Sequence, residues 1–119
     1  MKQTTKSTNG THFLNVTVFA SRREIYLICG EPSTNNGDDK VRYCWDMETE
    51  DGEPFTIYDW RDIILRKLDE PITWHIGSFN YLAADNARFE INQALQQLRD
   101  SQRIDEALKQ LRNETEISS

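Results

Sequence analysis

At 119 residues with 37% hydrophobic side chains, the chain has material for one modest core and not for separate catalytic and substrate domains. A formal net charge of −6 and an isoelectric point near 4.9 argue against a broad surface that neutralises nucleic-acid phosphates, while leaving room for a small recess holding one or two arginines. No segment approaches the roughly 18 apolar residues of a membrane span, and polar residues 1–10 lack the apolar stretch of a secretion signal, so the expected location is the cytoplasm.

Residues 1–11 read as a flexible start. Phe13, Val16, Val18 and Phe19 then form a segment rich in β-branched and aromatic side chains, closed by Ser21-Arg22-Arg23, and this predicts a strand. Ile25, Tyr26, Leu27 and Ile28 repeat the signal, so a hairpin to a second, central strand over residues 24–29 is the simplest connection. Residues 30–40, with Pro32, Ser33, Asn35, Asn36 and Gly37, supply turn chemistry and read as a mobile loop. Val41, Tyr43 and Trp45 alternate with Arg42, Cys44 and Asp46 in the period of a two-faced strand. Asp51-Gly52 turns the chain into a fourth strand through Phe55 and Ile57. Asp59 is placed to cap a short helical turn from Trp60 to Leu68, which Pro71 ends. Ile72 to Ile76 predicts a fifth strand, and Gly77-Ser78 turns towards a helix.

In that helix Leu82, Ala83, Ala87, Ile91, Ala94, Leu95 and Leu98 recur at three- and four-residue spacing. The phase slips at Asp100-Ser101, where Ile104, Ala107, Leu108 and Leu111 begin a second apolar stripe; either the helix bends there or a second helix starts, and residues 113–119 fray. The expected fold is thus one α+β domain over residues 1–119: an antiparallel sheet of about five strands followed by a long C-terminal helix, continuous or broken at Asp100-Ser101. Two apolar stripes exceed what such a sheet needs on one face, which predicts a homo-oligomer, a dimer or higher.

The chemistry-bearing templates fail in turn. The sequence holds no GxSxG elbow, phosphate loop or HExxH motif, and His12 and His75 stand far apart. Cys29 and Cys44 are too few for a zinc site and read as small core residues, so neither metal nor cofactor is expected. The densest stretch is Phe55-Thr56-Ile57-Tyr58-Asp59-Trp60-Arg61, followed later by Trp74-His75-Ile76-Gly77-Ser78. If these segments pair, aromatic rings lie beside a guanidinium, which is what a purine and a phosphate require. The candidate ligand-binding residues are therefore Tyr58, Trp60, Arg61, Trp74 and His75, with Asn86 and Arg88 from the following helix. The plainer reading makes the aromatics core residues and leaves Arg61 on the surface. Asp46, Glu48, Glu50, Asp51 and Glu53 form an acidic stripe that suits either a solvated strand end or the docking of a basic host protein. A third reading is a small hydrolase acting through His75 and Asp59.

FTIYDWR and WHIGS before an Ala-rich helix resemble small phage proteins, and the order of strands, loop and terminal helix resembles the phage anti-defence sponges that sequester the cyclic ADP-ribose signal of the Thoeris immune system. The resemblance is one of layout and aromatic/arginine content across most of the chain. It implies an oligomer without enzymatic activity, located in the cytoplasm of an infected bacterial host, that holds a small cyclic nucleotide between protomers. The competing class is an acidic inhibitor of a host nuclease or RNA-guided effector, a host defence protein in either case.

Overall fold

A computed structural model describes residues 1–33, 43–59 and 68–117, with side chains to residue 113. Five strands and two helices follow in the order β1 (Lys2–Gln3), β2 (His12–Ser21), α1 (Arg22–Cys29), β3 (Cys44–Glu48), β4 (Pro54–Tyr58), β5 (Pro71–Ser78) and α2 (Tyr81–Ile117). The strands form one antiparallel sheet in the order β1-β3-β4-β5-β2, with α2 closing the chain. The α+β architecture expected from the residue pattern is therefore present.

Alternation along the strands sends one set of side chains to an inner face: Val16 and Val18, Trp45 and Met47, Phe55 and Ile57, Ile72, Trp74 and Ile76. α2 covers this face with Ala84, Ala87, Ile91 and Leu95, and the alanines allow its backbone to lie close to the sheet. Asn80 caps α2, its side-chain oxygen accepting from the Ala83 N–H at 2.9 Å. At the centre of the core Trp45 and Trp74 meet edge to face, with centroids 5.5 Å apart.

Three expectations are corrected. The central strand at residues 24–29 is the helix α1, started by a capping box in which the Glu24 N–H donates to Ser21 Oγ and the Ser21 N–H donates to Glu24 Oε1. Gly30 ends it at φ +83°, a conformation that an L side chain resists, and its N–H donates to the Tyr26 carbonyl at 2.8 Å. An apolar run this short fits helix or strand, and the cap decided the matter. Second, the start expected to be flexible contributes β1, where Lys2 and Gln3 pair with Glu48 and Met47. Third, α2 runs through Asp100-Ser101 unbroken. The expected loop over residues 30–40 lies largely outside the described residues, as does nearly all of the short helical turn expected from Trp60 to Leu68.

Glu24 also ties α1 to α2, because Arg99 Nε donates to Glu24 Oε2 at 2.7 Å. That bond, opposed by partial burial and assisted by the Ser21 N–H, holds the Glu24 carboxyl below its ordinary range. A lowered folded-state pKa gives a contribution that is complete above the ordinary carboxylate value and is lost as pH falls through the lowered one. Urea denaturation should find Glu24→Gln less stable than wild type by about 0.5–1 kcal/mol at neutral pH, since the amide keeps the capping box but loses the charge on an exposed pair. The two proteins should converge once the pH lies below the lowered folded-state value, where both forms of the protein carry a neutral side chain at position 24.

Candidate functional site

The expected pairing of the two aromatic stretches is present: β4 and β5 place Tyr58 directly opposite His75. Trp74, the neighbouring residue, points to the opposite face. It is fully buried, its indole N–H donating to the Ala20 carbonyl at 2.9 Å, so it belongs to the core and not to a ligand-facing surface. His75 lies on the outer face, stacked on Phe13 with centroids 4.4 Å apart and met edge-on by Tyr58 at 5.6 Å. Asn15, at φ +63°, marks the irregularity in β2 beside this stack; the register shifts between Phe13 and Thr17, and asparagine tolerates the left-handed conformation.

Gly77 serves packing here rather than ligand approach, since a Cβ on it would stand 2.6 Å from the Thr56 hydroxyl and 3.4 Å from the Tyr58 ring. Asn86 and Arg88 sit on α2, across the sheet from His75. Arg88 pairs with Asp85, and Asn86 is exposed beside Asp51, Glu53 and Asn80. The five described candidates, Tyr58, Trp74, His75, Asn86 and Arg88, therefore do not converge, and Trp60 and Arg61 lie outside the described residues. Asp59, the partner imagined for His75 in hydrolysis, is buried and accepts from the Tyr43 N–H at 2.7 Å, which fixes the end of β4 against the approach to β3.

Residues 4–11 run from the β1 edge to the β2 edge and tie down the acidic stripe on the way. Thr8 Oγ1 donates to Asp46 at 3.4 Å, and Lys6 pairs with Glu48 at 3.4 Å. Beside them Cys44 is pushed up to about 12 by burial first and by the Asp46 carboxylate next, and burial pushes Cys29 up to about 12 as well. Neither thiol is ionised near neutral pH, so neither is poised as a nucleophile. Ellman's reagent should leave both almost untouched in the native protein at pH 8 and titrate both after unfolding in guanidinium; rapid native reaction at either would contradict their burial.

Arginine and aromatic side chains do meet, at a place the sequence reading passed over. Arg22 stands at the start of α1 with its guanidinium 5.1 Å from the centroid of the Tyr43 ring, and its Nη1 donates to the Tyr43 hydroxyl at 2.8 Å. Its Nε–H is buried with no hydrogen-bond partner among the described residues. Such an orphaned donor costs about 1–3 kcal/mol, more when charged. Tyr26 lies edge-on to Tyr43 at 6.4 Å and to Trp45 at 5.4 Å, and burial, ahead of the neighbouring Tyr43, raises its hydroxyl pKa. Arg22, Arg23, Tyr26, Leu27 and Leu68 line a cleft of about 310 Å³. Arg23 pairs with Asp69 at its rim, and its backbone N–H donates to the Leu68 carbonyl at 3.0 Å.

Two features made this cleft hard to foresee. Arg22-Arg23 looked like the polar end of a strand, whereas the S-x-x-E spacing of Ser21 and Glu24, which signals a helix start, puts both arginines in a first helical turn. Tyr43 meets Arg22 and Tyr26 only because the approach to β3 returns beside α1, a long-range contact that no local pattern announces. No cluster of three metal-ligating side chains occurs among the described residues, and none of their helices is long and apolar enough to cross a membrane. No family model matches the chain, and no curated protein or solved structure matches it.

Proposed function

We propose that the protein works by binding, holding a small anionic ligand with an aromatic base, of the nucleotide class, in the cleft between α1 and Leu68 where Arg22 stands. The observation that carries this reading is Arg22: a guanidinium fixed against a tyrosine ring, with one buried donor that finds no acceptor among the described residues. A planar fork suits phosphate oxygens, and the neighbouring Tyr26 and Leu27 offer apolar surface to a base. The cleft's volume stands at the lower end of the range of about 300–1,000 Å³ typical of small-molecule sites. A mononucleotide or one half of a cyclic dinucleotide suits that size, and an extended nucleic acid does not.

With the resemblance to phage sponges, the reading becomes sequestration of a cyclic nucleotide immune signal in an infected bacterium, without turnover, by a protein that pairs with copies of itself. Unionised thiols and an Asp59 engaged with backbone support binding over hydrolysis. A second reading, docking of a basic host defence protein, draws on the exposed carboxylates of Glu50, Asp51 and Glu53 around the β3–β4 turn. The two separate in one assay. Nucleotide binding raises the melting temperature with the logarithm of ligand excess, by the equivalent of about 2.7 kcal/mol at a hundredfold excess over Kd. Acidic docking gives no such rise. A thermal-shift screen against cyclic nucleotides and ADP-ribose derivatives should find a rise that keeps growing with the logarithm of ligand concentration, and a flat response across the set would overturn the nucleotide reading.

A further inference from the structure

The second half of α2 leaves the domain. Every residue from 99 to 113 is exposed, and the helix of 37 residues spans about 55 Å, much of the molecule's longest dimension of 62 Å. Yet Ile104, Leu108 and Leu111 stand on it at 60%, 54% and 59% exposure, at the four-and-three spacing of a helix-pairing seam. A bare helical overhang draws little stability from its own propensity, so an apolar seam on it calls for a second helix.

We infer that this seam pairs antiparallel with the same segment of a second copy, centred between Leu108 and Leu111, so that each leucine faces the other's counterpart. The charges flanking the seam choose this arrangement over its competitors. In the antiparallel pairing so centred, Asp105 of one copy meets Arg112 of the other, twice by symmetry. Moving the centre to Ile104 and Leu108 sets Asp105 against its own counterpart. A parallel in-register pair sets Asp100 against Asp105. Both alternatives bring like charges together along a seam only three apolar side chains long, where such repulsion is decisive.

The inference deepens the self-pairing part of the reading above and is independent of the ligand cleft. Its test is sedimentation of the full chain. Wild type should be a reversible dimer; Asp105→Arg and Arg112→Asp should each weaken association by about tenfold or more, because attraction at two symmetric contacts becomes repulsion. The double variant should recover the wild-type affinity. Mixing the two single variants should give a heterodimer, since one copy then carries arginine and the other aspartate at both positions. A wild type that stays monomeric at its highest soluble concentration would overturn both the pairing and its geometry. A dimer indifferent to both reversals would overturn the antiparallel placement alone, and failure of the nucleotide screen would touch neither.

Discussion

Trp74→Ala is expected to lower the unfolding free energy by about 3–5 kcal/mol, a large part of the roughly 5–15 kcal/mol that a domain of this kind has in total. The indole is fully buried, meets Trp45 edge to face and donates to the Ala20 carbonyl, so truncation opens a cavity and orphans an acceptor together. His75→Ala, one residue along the same strand, should cost about 0.5–1.5 kcal/mol, the scale of an aromatic pair, because the imidazole stacks on a Phe13 that is itself 37% exposed. Urea denaturation measures both. A Trp74→Ala protein with a wild-type midpoint would return that indole to the list of side chains available to a ligand.

Arg22→Ala is expected to weaken nucleotide binding by about one to two powers of ten, the equivalent of a charged hydrogen bond worth about 1.5–3 kcal/mol. Arg22→Lys keeps the positive charge and loses the flat fork, the stacking over Tyr43 and the Nε–H, so it should behave much more like alanine than like wild type. Tyr43→Phe removes only the hydroxyl that receives Nη1 and leaves the ring beneath the guanidinium; a loss of a few-fold is the expected outcome. Each variant is compared at equal circular dichroism, because Tyr43 also stacks near Trp45 at 6.4 Å and takes part in the edge of the core.

Residue periodicity carried most of the fold. The alternation at Trp45 and Met47, the β-branched and aromatic run of β5, and the three-and-four spacing from Ala83 to Leu95 are local signals that packing then honours. Leu82, counted on the apolar stripe, is 70% exposed; it falls a residue off the face that Ala83, Ala87 and Ile91 turn to the sheet. Misreading α1 came from weighing the apolar run above its cap, and β1 is two polar residues held by their pairing with β3 and by the Gln3 amide donating to the Cys29 and Glu31 carbonyls, long-range contacts that no pattern of their own encodes. For the candidate site the pairing of the two aromatic stretches was legible, with Tyr58 standing opposite His75. The sequence could not show that Trp74 and His75 face opposite ways relative to the covering helix, or that the described arginine on an aromatic ring is Arg22, because that depends on how α1 and β3 come together.

Isothermal calorimetry of wild type and Arg22→Lys, each titrated with the nucleotide that most raises the melting temperature, tests the binding reading at its centre. The expected result is saturable binding to wild type and an affinity at least about tenfold lower for the lysine variant at an unchanged fold. Equal affinities for the two proteins would contradict a site built around the Arg22 fork.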